Sequence, residues 1–274
     1  MIAMTTRLLP AGVACLLALA VAAQPPRPQP LIPLTHAHAH NDYAHTRPLL
    51  DALDCGFCSI EADIYLVDGK LLVGHNRLDL RPGRTLQSLY LDPLREIIRK
   101  NGGRVYRDGP TVQLLIDIKT EAEATYAALS AVLKDYAPML TVFHPDKTEP
   151  GAVTVVISGN RPRKTMAAQK QRLAACDGLI EDIDNPPSVR LVPLVSSRWG
   201  ITFKWTGRGQ LPDDQRQLLR TLVEKAHKNG QRLRFWGAPD DLNAWKELRA
   251  AGVDLINTDH LPECRDFLLS TTQP

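Results

Sequence analysis

The hydrophobic pattern of this chain switches repeatedly between two periods. Short stretches that alternate every second residue, or are apolar throughout, give way to longer stretches with apolar residues three and four positions apart. These are the signatures of strand and amphipathic helix. Residues 59–66 set Ile60, Ala62, Ile64 and Leu66 on one face and Glu61, Asp63 and Tyr65 on the other. Asp68-Gly69 then makes a hairpin turn, 71–73 returns, and Gly74-His75 follows, which brings His75 back beside Glu61 and Asp63. Residues 112–118 form a near-continuous apolar run, as expected of a parallel strand covered on both sides. Further strands are predicted over 31–38, 153–158, 179–180, 192–195, 232–236 and 254–257, with helices over 47–54, 86–100, 121–136, 163–175, 213–229 and 240–250. Eight strands alternating with helices predict an α/β fold, a (β/α)8 TIM barrel in a single domain, whose chemistry gathers where the strands end.

The N-terminus departs from this pattern. Arg7 is followed by an apolar run over 8–20, and Ala20-Val21-Ala22 or Val21-Ala22-Ala23 offers small residues at both recognition positions of a cleavage site. Residues 1–23 therefore read as an export signal and the product as periplasmic or secreted. The run is shorter than a membrane span needs and carries Pro10 near its start. Cys15 lies inside the apolar region instead of closing it, which disfavours a lipoprotein attachment. Residues 24–30 hold four prolines and read as an extended leader, leaving 31–270 for the barrel.

Of the 274 residues, 33 are Lys or Arg and 30 are Asp or Glu, a formal net charge of +3. Loss of a leader containing Arg7 lowers it by one, a balance too small to suggest nucleic acid or a strongly anionic membrane as partner. A monomer acting on a small-molecule or lipid substrate is expected. Cys55, Cys58, Cys176 and Cys264 are an even set in an exported protein, with three possible pairings. Cys55-Gly56-Phe57-Cys58 has redox or zinc half-site spacing, but no second pair follows and the tetrapeptide runs into an apolar strand, as small buried thiols do.

Candidate chemistry concentrates in His36-Ala37-His38-Ala39-His40-Asn41-Asp42-Tyr43 and in Glu61-Ala62-Asp63. Side chains at i and i+2 of a strand share a face, so Glu61 and Asp63 can approach one ion, and Asp117 from the next strand completes an oxygen-rich set. Such a set suits one divalent cation, Mg²⁺ or Ca²⁺, better than Zn²⁺. Ion pairing of the acids with Lys119 or Arg77 is the structural alternative. His40 and His75 would flank the ion as general acid and base, with His36 and His38 as hydrogen-bonded wall residues. Lys119, two positions after Asp117, could hold a phosphate oxygen. Asn41 could contact ion or phosphate or simply form a turn, and Trp236 either walls the substrate or packs in the core.

His38-Ala39-His40-Asn41-Asp42-Tyr43, Arg47-Pro48-Leu49-Leu50-Asp51-Ala52-Leu53, Glu61-Ala62-Asp63, Asp68-Gly69 and Gly74-His75 resemble the phosphatidylinositol-phospholipase-C-like phosphodiesterase superfamily. Within it the chain is similar to the "HAHNDY" group related to glycerophosphodiester phosphodiesterases. The likeness continues through Asp117-Ile118-Lys119, Arg234-Phe235-Trp236 and residues 252–259. It implies a TIM barrel, a divalent ion on Glu61, Asp63 and Asp117, catalytic histidines at His40 and His75, and a phosphate contact at Lys119. Asn41-Asp42 stands where glycerophosphodiesterases usually have Arg-Gly, and Asn76 where they commonly have Asp. These departures bear on the substrate head group.

The resulting expectation is a metal-dependent phosphoric diester hydrolase acting on a phospholipid-derived or glycerophosphodiester-like substrate. Two rivals remain. One is a zinc amidohydrolase-like enzyme using His38-x-His40, although His144 and His227 fall in a loop and a helix, not at strand ends. The other is a non-catalytic exported barrel that binds phosphorylated ligands.

Overall fold

A computed structural model describes residues 31–271; the expected signal and Pro-rich leader lie outside the described residues. The strands are β1 (Leu34–Ala39), β2 (Phe57–Val67), β3 (Lys70–Val73), β4 (Val112–Ile118), β5 (Val142–Phe143), β6 (Thr148–Glu149), β7 (Val153–Gly159), β8 (Ala174–Gly178), β9 (Leu194–Arg198), β10 (Arg232–Trp236) and β11 (Ile256–Thr258). The helices are α1 (Leu50–Asp54), α2 (Asp92–Lys100), α3 (Ala122–Lys134), α4 (Arg163–Ala168), α5 (Trp199–Thr202), α6 (Asp213–Lys228), α7 (Leu242–Ala250) and α8 (Leu261–Thr271). Eight strands run parallel in the order β10-β9-β8-β7-β4-β2-β1-β11. The ring nearly closes through a bridge between Arg234 and Leu255 and through Asp254 N–H donating to Leu233 O at 3.2 Å. This is the expected (β/α)8 barrel. β3 pairs antiparallel with β2, and the β2–β3 turn has Asp68 and Gly69 both at positive φ, the conformation a two-residue hairpin demands.

Alternation in β2 acquires a specific meaning. All of Phe57 to Tyr65 is buried, because the polar face looks into the barrel, not out to solvent. Ile60, Ala62 and Ile64 join the main core against the helices. The interior is mixed. Leu115, Val156, Leu194 and Leu255 form a separate apolar cluster, and buried His38, Ser59, Glu61, Gln113, Asp177, Ser196, Arg234 and Asn257 supply polar groups.

Several elements differ from the sequence expectation. The helix expected over 163–175 stops at Ala168, and the fifth barrel strand is Ala174–Gly178, not 179–180. Small residues there give a weak local signal, and pairing with Val155, Val156 and Ile157 of β7 decides the outcome. Leu179 is instead 51% exposed, and Ile180 opens a 3-10 turn. The sixth strand begins at Leu194, after Pro193, whose carbonyl accepts from Arg232 N at 2.9 Å; proline fits just outside a strand because it has no N–H to pair. The short helix after β1 starts at Leu50 because Leu49 sits at φ 66, a costly conformation for a bulky residue. The Asp42 carboxylate holds it by accepting from Leu49 N at 2.6 Å.

Replacing Leu115 with Ala, inside the barrel, is expected to cost about 2–5 kcal/mol in urea unfolding, and near-wild-type stability would contradict this account of the interior.

Candidate active site at the barrel mouth

Register builds the site. Asp63 of β2 lies opposite Asp117 of β4, and Asp117 opposite Ser158 of β7, so these inward side chains meet where the strands end. Glu61 is one inward step deeper on β2. Ligand atoms of Glu61, Asp63 and Asp117 all lie within 4.8 Å of one another, the one such group of potential metal ligands among the described residues. Gly159 permits the approach, since a Cβ there would stand 2.0 Å from Asp117 Oδ1.

The surroundings share out the negative charge unequally. Arg234, buried on β10, donates to Glu61 Oε2 at 2.7 Å, to Ser196 Oγ from Nε at 3.0 Å and to Asn257 Oδ1 at 3.3 Å. Burial opposes the Glu61 charge, but this guanidinium and the His38 hydrogen bond hold the carboxyl well below the usual range. No buried guanidinium pairs with Asp63 among the described residues. Burial and then the neighbouring Glu61 charge push its pKa up to about 7, although Lys119 Nζ lies 3.0 Å from Oδ2. Lys119 also reaches Asp117 Oδ2 at 3.1 Å. Burial works against the Lys119 charge, yet Asp117 and Asp63 raise its pKa. Arg77, the other cation considered as counter-ion, lies over the Tyr65 ring instead.

The histidines divide clearly. His38 is fully buried, with Nδ1 2.8 Å from Ser59 Oγ and Nε2 3.0 Å from Glu61 Oε2, and burial followed by the Arg234 charge lowers its pKa to about 4. Both ring nitrogens are engaged within the protein, so His38-x-His40 does not present a pair of ligands to one zinc ion. His36 Nδ1 lies 2.9 Å from Asp254 O. His40 Nδ1 faces Asp259 Oδ1 at 2.9 Å, and its pKa is raised: burial lowers it, but the Asp259 hydrogen bond and the Glu61 charge prevail. His75, just past the hairpin, has Nδ1 3.6 Å from Asp63 Oδ2 and 3.0 Å from Tyr43 Oη.

His40, Asn41, Glu61, Asp63, His75, Asp117, Lys119 and Trp236 all line one cleft of about 310 Å³. Asn41 does form a turn, at φ 48, and its side chain also enters the site, donating toward Asp259 at 3.3 Å. Trp236 stands at the rim, 39% exposed with Arg198 over its ring, while Phe235 fills the core against Trp199 and Phe203. Tyr43, Asp177, Arg234 and Asp259 join the site without a role foreseen from the sequence. Parity on β10 could have pointed Arg234 inward, whereas Asp259 meets His40 across 219 positions of sequence. Asp177 Oδ1 and Ser158 Oγ, of two residues lining the cleft, are buried without a hydrogen-bond partner among the described residues, and burial raises the Asp177 pKa to about 6. Cys55, Cys58, Cys176 and Cys264 are free thiols.

A family model described as AIM6-like phosphodiesterase domain matches residues 30–175, and one for the glycerophosphoryl diester phosphodiesterase family matches residues 232–262. "Altered inheritance of mitochondria protein 6" of Eremothecium gossypii is 30% identical over 270 residues, covering 85% of this chain and 69% of its own. A homolog of that protein in Arthroderma benhamiae is 27% identical, covering 84% and 82%. The crystal structure of a glycerophosphodiester phosphodiesterase from Parabacteroides distasonis aligns with a TM-score of 0.50 at 15% identity, over 89% of this chain and 98% of that one, a likeness of fold.

The raised Asp63 pKa gives a pH signature in cation-free protein. Its native-state proton contributes stability that is complete below the unfolded pKa of roughly 4 and is lost as pH rises through about 7. Thermal melts should therefore show Asp63→Asn gaining more over wild type at pH 8 than at pH 5; an equal gain at both would remove the assignment.

Proposed function

The chain belongs to the AIM6-like phosphodiesterase family, and from that premise we propose that it hydrolyses phosphodiesters in the cleft at the barrel mouth. The observation that carries this reading is that His40 and His75 border the same cleft as the acid triad and Lys119. The substrate would be a small-molecule or lipid-derived diester.

Glu61, Asp63 and Asp117 fit a divalent cation. Asp63 Oδ1 and Asp117 Oδ1 are buried with no hydrogen-bond partner among the described residues, and an all-carboxylate donor set suits a hard ion such as Mg²⁺ or Ca²⁺. When bound, such an ion would offset phosphate charge and polarise a phosphoryl oxygen. Lys119, already on the acids, can shift toward a phosphate oxygen as a second cation. Arg234 stays below, committed to Glu61 and Ser196.

The two histidines supply the proton transfers. One accepts the proton of the attacking hydroxyl as its oxygen bonds to phosphorus; the other donates a proton to the departing alkoxide as the P–O bond breaks. Water as nucleophile yields a monoester and an alcohol, whereas a neighbouring hydroxyl of the substrate yields a cyclic phosphate and the same alcohol. Asp259 orients His40 by engaging Nδ1, which leaves Nε2 for the reactants. Asn41 and Trp236 are assigned to substrate contact at the rim of the cleft.

The test is a panel of diesters, including glycerophosphodiesters and bis-p-nitrophenyl phosphate, with Mg²⁺ or Ca²⁺ and a chelator control. His40→Ala and His75→Ala should each lower turnover by roughly 10²–10⁴ with unchanged circular dichroism. Full activity of both variants on a substrate the wild type hydrolyses would sink the proposal.

A further inference from the structure

We propose that the Tyr43 hydroxyl is the positioning group for His75, setting its ring tautomer so that Nε2 is the nitrogen that exchanges protons with the reactants. The inference rests on the reading of His75 as one of the two proton-transfer groups.

His75 needs such a partner. Its side chain is 66% exposed, so packing does not fix the ring. Its backbone is well held: Tyr65 Oη donates to His75 O at 2.9 Å, and the next residue, Asn76, caps a short turn by accepting from Leu78 N and donating its own N–H to Asp79 Oδ2. The ring has one hydrogen-bond partner among the described residues, Tyr43 Oη, 3.0 Å from Nδ1. The two rings lie within 22° of parallel, with centroids 6.3 Å apart.

Hydrogen bookkeeping then fixes the tautomer. Tyr43, itself buried, has three neighbours at its hydroxyl: Asn41 Oδ1 at 2.5 Å, Asp63 Oδ2 at 2.8 Å and His75 Nδ1. The Asn41 amide nitrogen lies 2.9 Å from His40 Nδ1 and faces the Asp259 carboxylate at 3.3 and 3.4 Å, so its oxygen faces Tyr43. Asn41 Oδ1, the nearest of the three, can only accept. The single phenolic hydrogen goes to it, and the phenolic oxygen is left to accept from His75 Nδ1–H. The neutral imidazole therefore carries its lone pair on Nε2. The network also joins the two histidines through Tyr43, Asn41 and Asp259, so a shift of either ring is felt by the other.

Nitrogen-15 spectra of histidine-labelled full-length protein at alkaline pH read the tautomer directly, with His75 assigned by its loss in His75→Ala. The wild type should show His75 in the Nδ1–H form, and Tyr43→Phe should move it toward Nε2–H. A wild-type Nε2–H ring, or a tautomer unchanged in Tyr43→Phe, overturns the inference, and the wild-type spectrum decides even if the variant folds poorly. With Mg²⁺ saturating, Tyr43→Phe should lower kcat roughly 10–100-fold with KM little changed, and should add no further loss in the His75→Ala background. An equal loss in both backgrounds contradicts the role. If His75→Ala alone keeps full turnover, the phosphodiesterase reading of His75 falls, while the spectra still judge the tether.

Discussion

Three carboxylates held within 4.8 Å of one another are the constraint around which the barrel mouth is arranged. Like charges at such spacing cannot all ionise freely in a partly dry site. Three responses are visible. Arg234 is buried beneath Glu61 and secures that charge. Lys119 bridges Asp63 and Asp117. Asp63, buried and beside the Glu61 charge, takes the remaining strain as a pKa pushed up to about 7. A buried ion pair such as Arg234–Glu61 adds little net stability, because both partners lose their water. Its effect here is to orient: the guanidinium ties β10, β9, β2 and β11 together around one carboxylate.

How far the sequence discloses this follows from the range of each interaction. The β2 alternation, the Asp68-Gly69 turn and the apolar β4 run are local signals, and they bring Glu61, Asp63, His75 and Asp117 to one mouth in the manner their spacing predicts. Bounds of β10 also follow the apolar pattern. Ala174–Gly178 is different, since four small or weakly apolar residues and Asp177 become a strand only because β7 and β9 offer partners on both sides. The same reason hides the pairings of Arg234 and Asp259. Their partners Glu61 and His40 are 173 and 219 positions away, and no local pattern announces such a pair.

The His40-Asn41-Asp42-Tyr43 segment illustrates the division between fold and chemistry. Asp42 faces inward, fully buried, and its carboxylate carries the turn at Leu49; burial raises its pKa to about 6. Its neighbours look the other way: His40, Asn41 and Tyr43 form hydrogen bonds that run to Asp259, Asp63 and His75. The left-handed conformation at Asn41 makes this possible by turning the chain between them. One residue of the motif anchors the loop so that His40 and Asn41 can line the cleft and Tyr43 can reach His75.

The account depends most on the acid triad acting as a cation site and not merely as counter-charge for Lys119. Crystals grown with Mn²⁺ as a stand-in for the hard cation test this directly through anomalous scattering. One peak bounded by Glu61, Asp63 and Asp117, abolished in Asp117→Asn, is the predicted result. An empty triad with Lys119 still paired to both aspartates, in crystals saturated with Mn²⁺, would contradict it.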